Sequence, residues 1–201
     1  MSEATQNAHA TIEPEPPEVH DRNLWAGARL LVSSTIFLFL PFFFAYLYLA
    51  ALNTGKLWKP ASVEPPIGWG IAIYACVAAA AGLVAWARSE LADDRSSSAR
   101  PLLLFGLVAG VLAVVLQGVE YSQLDFGPMD GGFASVFVAW SGMFGLVVLG
   151  TMLWLETIIA TSVRHGAGSR GAGLPELDGM VFYLTFLAGL GALTFGFLYL
   201  I

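Results

Sequence analysis

The sequence predicts an all-α polytopic membrane protein whose five transmembrane helices form a helical bundle, and three observations predict this fold class. Hydrophobic residues make up 57% of the 201 residues and charged residues only 12%, whereas a soluble domain has about 25% charged residues. The charges are clustered, which leaves long uncharged runs between them. These runs reach the roughly 20 apolar residues that a helix needs to cross a lipid core about 30 Å thick.

Residues 1–23 are predicted to form a disordered acidic tail in the cytoplasm. Five acidic residues lie in the first 21 positions, together with three prolines and no apolar run. This composition is typical of a solvated, unfolded segment. The tail also lacks the basic start and the apolar stretch of a secretory signal. We therefore expect the first transmembrane helix to direct membrane insertion.

Five apolar segments follow, and each is predicted to cross the membrane once within a transmembrane domain of residues 24–201. The spans lie at about 24–52, 67–87, 101–121, 133–162 and 178–201. Small residues recur in these spans at helical spacing, which lets neighbouring helices approach closely. The predicted helix-packing positions are Gly106, Gly110, Gly142, Gly145, Ala188, Ala192 and Gly196.

The distribution of Lys and Arg predicts the orientation of the bundle in the membrane. With five spans, seven arginines fall on the side of the N-terminal tail, whereas the opposite side holds only Lys56 and Lys59. Positive charges concentrate in cytoplasmic segments. The N-terminus is therefore predicted to be cytoplasmic and the C-terminus to lie on the outer side.

The residue types within the spans argue against a redox or hydrolytic centre. The three histidines, His9, His20 and His165, all lie outside the spans, and Cys76 is the single cysteine. Haem in a membrane bundle usually needs His ligands, and copper and zinc are held by clusters of His or Cys. We therefore expect no catalytic, metal-binding or cofactor-binding residue in this chain.

A candidate polar network lies at the end of the third span. Gln117, Glu120 and Tyr121 are spaced i, i+3, i+4 and therefore share a helix face. Acidic residues at membrane depth are costly and often functional. Two interpretations stay open for Glu120: a structural hydrogen-bonded network, or a proton-handling group. Glu156 near the end of the fourth span is interpreted as an interfacial acid.

Three stretches at the centre of the chain resemble one known family. Residues 116–121 read LQGVEY, residues 130–137 read DGGFASVF and residues 141–146 read SGMFGL. This pattern resembles subunit III of cytochrome c oxidases and related quinol oxidases, in the short form with five helices. In the first span, Ser34, Phe37 and the FFAY of residues 43–46 resemble the corresponding family helix.

The chain also departs from the family at ionisable positions. The family's membrane glutamate corresponds to Thr35, and its two histidines in the fourth span correspond to Phe144 and Val147. Its polar motif near the last helix corresponds to the largely apolar residues 183–188. The resemblance therefore implies a divergent member that keeps the scaffold and loses most of the ionisable groups.

The resemblance implies a non-catalytic structural subunit of a haem–copper terminal oxidase in aerobic respiration. Such a subunit stabilises the catalytic subunit, binds phospholipid, and leaves haem and copper to its partners, oxidase subunits I and II. The implied location is the cell inner (plasma) membrane, and no nucleic acid is expected as a partner. Two alternatives remain: a subunit III-like protein associated with nitric oxide reductase, and a small membrane transporter or assembly factor.

Overall fold

The computed structural model describes residues 17–53, 58–60, 62–164 and 174–201, and it contains helices and no strands in that part of the chain. All five long helices have the length and apolar composition to cross a membrane, so the predicted fold class is confirmed. The helices are α1 (Pro17–Ala51), α2 (Ile67–Ala92), α3 (Ser96–Ser122), α4 (Gly132–Arg164) and α5 (Leu174–Phe195). A five-residue π-helical turn, Gly196–Leu200, directly continues α5 and is called the π turn below.

The first helix begins earlier than the apolar pattern predicts. Residues 17–23 are helical and not part of an unfolded tail, while residues 1–16 lie outside the described part of the chain. Pro17 is compatible with the first turn of a helix, where its missing N–H would have no partner. Glu18 in that turn is stabilised by the positive end of the helix dipole. The effects of Pro17 and Glu18 on the start of the helix do not depend on hydrophobicity, so the apolar pattern does not predict them.

Residues 88–100, which lie between the second and third predicted spans, are also largely helical. Only residues 93–95 separate α2 from α3, and the chain reverses at Asp94, whose φ is 60°. Aspartate tolerates this left-handed conformation better than most residues. Arg95 then binds the Glu90 carboxylate through two hydrogen bonds, of 2.6 and 3.1 Å. The polar residues between the second and third spans therefore form helix ends and a tight turn.

The five helices pack in a ring in the order α1, α4, α3, α2 and α5, with α5 contacting α1 again, and α4 and α5 also contact each other. The α2 and α3 hairpin makes the most extensive contact in the bundle. An ion pair of 2.6 Å between Arg88 and Asp178 joins α2 to the beginning of α5. The first helix reaches the rest of the bundle through α4 and α5.

Aromatic side chains of α4 form the centre of the core. Phe133, Phe137, Trp140 and Phe144 follow one another at intervals of three or four residues and are all buried. This spacing places them on one helix face. The outward faces of the bundle are also apolar, as expected for a surface in contact with lipid or a partner helix.

One end of the bundle carries the connections between α1 and α2 and between α3 and α4. There the backbone N–H of Phe133 donates to the carbonyl of Trp58, at 2.8 Å. The Lys59 ammonium lies 4.5 Å from the centre of the Phe133 ring. These contacts fasten the α1–α2 connection to the first turn of α4, close to the ends of α3 and the π turn.

Candidate functional site

Gln117 and Tyr121 form a hydrogen-bonded network with Ser141 of α4. The Gln117 Nε2 donates to the Ser141 carbonyl and, at 3.2 Å, to the Tyr121 hydroxyl. The Tyr121 hydroxyl also lies 2.7 Å from the Ser141 Oγ and donates to the Val138 carbonyl at 3.2 Å. Gln117 and Ser141 are buried. The network therefore joins α3 to α4 and satisfies polar groups that are away from solvent.

Glycines on α4 make room for this network. A Cβ atom added at Gly145 would collide with the Gln117 side chain, and one added at Gly142 would lie 3.2 Å from the Tyr121 hydroxyl. Any larger residue at Gly145 would displace the amide that bonds the two helices. Both positions were predicted to be helix-packing glycines, and both face the polar contact between α3 and α4.

Glu120 has a different partner, the Tyr199 hydroxyl of the π turn. The hydroxyl donates to the Glu120 Oε1 at 2.7 Å, and Glu120 is 0% exposed. The second oxygen, Oε2, is buried without a hydrogen-bond partner. Seventy-nine positions of sequence separate the two residues. Their contact fastens the end of the last helix to the end of α3.

The predicted polar face therefore divides into two sites. Gln117 and Tyr121 bind α4, whereas Glu120 binds the π turn. The helical spacing placed all three residues on neighbouring parts of α3, but it could not identify their partners. Ser141 lies in residues 141–146, one of the stretches that resemble the family, so the sequence contained a signal for this residue. Tyr199 was missed, because a tyrosine near the end of an apolar span is also typical of a membrane interface.

Two other predicted glycines lie at close contacts of α3. A Cβ atom at Gly106 would lie 2.9 Å from Val84 Cγ2 of α2, and one at Gly110 would lie 2.8 Å from Met152 Cε of α4. The remaining predicted positions behave differently. Ala188 is half-buried, Ala192 is exposed, and an added Cβ at Gly196 would meet nothing within 4 Å. Within the described part of this chain, Ala192 of α5 and Gly196 of the π turn therefore do not lie at close helix contacts.

A second buried polar contact joins α1 to α5. Thr35 of α1 donates its hydroxyl proton to the Leu31 carbonyl at 2.8 Å, and its Oγ1 lies 2.8 Å from the Tyr183 hydroxyl of α5. Because the single Thr35 proton is already used, Tyr183 is the donor of the second bond. Both residues are buried. The two helices are thus joined by neutral hydroxyl groups.

Thr35 and Tyr183 line a cavity of about 580 Å³ between α1, α4 and α5. Most of its lining is apolar, and its hydroxyl groups come from three helices. The lining residues are Leu31, Ser34, Thr35, Leu38, Val147, Gly150, Thr151, Trp154 and Tyr183. Val147 of α4 therefore faces the same space as Thr35.

Within residues 17–53, 58–60, 62–164 and 174–201, no group of three or more His, Cys, Asp or Glu residues has the geometry to hold a metal ion. His9 and His165 lie outside these ranges, and the side chain of His20 is not among those described. The Glu156 side chain is exposed on α4. The buried polar side chains Thr35, Gln117 and Glu120 of the described bundle each form a hydrogen bond to another helix.

The comparisons with known proteins indicate the same family. The family described as "Cytochrome c oxidase subunit III" matches residues 7–198. Cytochrome c oxidase subunit 3 of Latimeria chalumnae is 27% identical over 171 residues, which cover 82% of this chain and 63% of the relative.

Two further relatives have the same description. Cytochrome c oxidase subunit 3 of Formosania lacustris is 30% identical over 170 residues, covering 82% of this chain and 63% of the relative. The subunit of Aedes aegypti is 28% identical over 153 residues, covering 73% and 58%. The chain thus spans about three-fifths of the length of these curated relatives. Since the family match covers nearly all of the sequence, the chain belongs to the cytochrome c oxidase subunit III family.

Proposed function

We propose that this chain is a non-catalytic structural subunit of a haem–copper terminal oxidase in aerobic respiration. The observation that carries the proposal is the family match over residues 7–198. The buried polar groups support it, because the described ones form contacts between helices. Such contacts between helices are typical of a structural subunit that stabilises a partner.

The outer surface of α1 supports a role in assembly. Leu30, Phe37, Leu40 and Phe44 are between 58% and 73% exposed in the isolated chain. In a membrane such a surface contacts lipid or the helices of a partner. We propose oxidase subunits I and II as the partners, with haem and copper bound in the catalytic subunit. The chain stabilises that subunit and supplies no ligand to its metals.

The cavity between α1, α4 and α5 supports the binding of phospholipid. Its volume of about 580 Å³ and its mostly apolar lining suit an acyl chain. The hydroxyl groups of Thr35 and Tyr183 are already bonded to each other, so they place no unpaired polar group against a hydrocarbon chain. We assign the lipid tail to this cavity and the protein to the cell inner (plasma) membrane, with the N-terminus in the cytoplasm.

Affinity purification in mild detergent tests the proposal. We expect a tagged chain to co-purify with oxidase subunits I and II and with a haem absorption spectrum. The same chain, expressed without those subunits, should be purified without a Soret band. Recovery with nitric oxide reductase subunits, or with no partner at all, would support the corresponding alternative and contradict the oxidase assignment.

Deletion of the gene separates a structural role from a catalytic one. We expect the haem signals of the oxidase to remain in membranes while its activity declines faster during turnover. Complementation with the unaltered chain should restore the lifetime of the enzyme. A complete loss of activity in a fully assembled, haem-loaded enzyme would contradict a purely structural role.

A further inference from the structure

Glu120 combines three properties that rarely occur together in a carboxylate. It is 0% exposed, only one of its two oxygens has a hydrogen-bond partner, and no Lys or Arg in the described part of the chain forms an ion pair with it. An ionised carboxyl group accepts several hydrogen bonds and is costly to bury without a cation. A neutral acid that lacks one hydrogen bond is much less costly in the same place.

Among the residues that the structure describes, the groups that face Glu120 do not provide a positive charge. The titratable side chains that interact with it are Tyr74 of α2, Tyr121 of α3 and Tyr199 of the π turn. All three are neutral as phenols, and each would repel a carboxylate if it lost its proton. Ser141 and Phe137 are the nearby contributions of α4, through contacts with Tyr121 and Tyr199. The surroundings therefore favour an uncharged group.

We propose that Glu120 is a proton-binding site, whose carboxyl group is a neutral acid at neutral pH with the proton on Oε2 while Oε1 accepts the Tyr199 hydroxyl. The ligand is a single proton, and its binding permits the carboxyl group to bond the last helix without a buried charge. The proposal requires only that the chain spans a membrane. It is independent of which enzyme the chain accompanies.

The backbone around Tyr199 is shaped for this contact. The π turn occupies Gly196–Leu200 and directly follows α5, so the helix type changes shortly before Tyr199. Gly70 of α2 leaves the space that the Tyr199 ring fills, because a Cβ at Gly70 would lie 2.6 Å from Tyr199 Cε1. Two independent features, a local change of helix type and a glycine on another helix, thus bring the hydroxyl to Glu120.

Phe137 and Phe126 separate the pair from the end of the bundle. The Phe137 ring lies 5.4 Å from the Tyr199 ring, and the Phe126 ring lies 5.6 Å from Phe137. Both phenylalanines are buried. The proton on Glu120 is therefore enclosed by aromatic side chains, and we expect it to exchange slowly with the solvent.

Infrared spectroscopy of the purified full chain in detergent tests the inference. At neutral pH exposed glutamates are ionised, since their ordinary pKa is about 4.3. We expect the wild-type protein to retain a carbonyl band of a protonated carboxylic acid, and the Glu120→Gln variant to lose it. In Tyr199→Phe the band should move to higher frequency, because the carbonyl oxygen loses its hydrogen-bond donor.

Glu156→Gln is the matched control, since Glu156 is an exposed acid on α4, and it should leave the acid band unchanged. The proposal is overturned if the wild-type protein has no acid band at neutral pH, or if Glu156→Gln removes the band. If Glu120→Gln does not fold, the Tyr199→Phe variant tests the proposal instead, because it keeps the aromatic ring that fills the space beside Gly70. A shift of the band supports the site, and an unshifted band overturns it.

Discussion

The hydroxyl groups of Thr35 and Tyr183 lie 2.8 Å apart and join α1 to α5 inside the bundle. Both side chains are at most 4% exposed. A carboxyl group at this position would need a proton or a cation to be stable in the bundle. The threonine and tyrosine pair keeps a polar contact between the two helices and removes that requirement.

Replacing Thr35 with Val and Tyr183 with Phe tests the strength of this pair. Each substitution keeps the shape of the side chain and removes a hydroxyl group, so each should destabilise the protein by about 1 kcal/mol. The double variant should lose less than the sum, with a coupling of about 0.6 kcal/mol, the usual value between membrane helices. Unfolding in detergent by increasing SDS gives the free energy of unfolding of the wild type, the two single variants and the double variant. If the losses of the two single variants add up in the double variant, the hydroxyl groups do not interact.

Gly110 and Gly118 form a matched pair of glycines on α3 for testing close packing. An added Cβ at Gly110 meets Met152 of α4, whereas one at Gly118 meets nothing within 4 Å. Gly110→Ala should destabilise the bundle by about 1–3 kcal/mol through overpacking. Gly118→Ala should be neutral or stabilising, because Ala favours helix more than Gly by about 1 kcal/mol. Thermal unfolding in detergent compares the two variants, and equal effects of the two changes would contradict the close contact between Gly110 and Met152.

The number and order of the helices could be predicted from the sequence because they depend on local hydrophobicity. Each span is a long apolar run, and lipid forces such a run to satisfy its backbone within a helix. The ends were less predictable: helical residues at 17–23 and on both sides of Asp94 are polar, so hydropathy does not detect them. Their helical state depends on the proline and the acid in the first turn of α1 and on the Arg95–Glu90 contact.

The candidate site could be predicted in part for a similar reason. Helical spacing alone placed Gln117, Glu120 and Tyr121 on neighbouring parts of α3. The partners Ser141 and Tyr199 come from other helices, and their positions depend on how the helices are arranged in the ring. The π turn adds a change of helix type that no spacing rule anticipates. Partner identity is therefore a property of the tertiary structure.

Replacing Gln117 with Met tests the network between α3 and α4. Methionine has a similar volume and cannot donate to the Ser141 carbonyl or the Tyr121 hydroxyl. We expect a loss of about 1 kcal/mol in unfolding free energy, the usual value for a lost hydrogen bond. Gln123→Met is the control, since Gln123 is exposed and accepts a single bond from Trp69. A larger loss in the control than at Gln117 would contradict the proposed network.

The orientation of the bundle can be tested with single cysteines at its two ends. Met129 is 95% exposed in the α3–α4 connection, and Ser97 is exposed in the first turn of α3 at the opposite end. The excess of arginine at the Ser97 end predicts that this end is cytoplasmic. In a Cys76→Ala background, a membrane-impermeant maleimide added to intact cells should therefore label Met129→Cys and leave Ser97→Cys unlabelled. Permeabilised cells should show labelling of both variants, which establishes that each thiol is reactive, and the reverse pattern in intact cells would place the N-terminus outside.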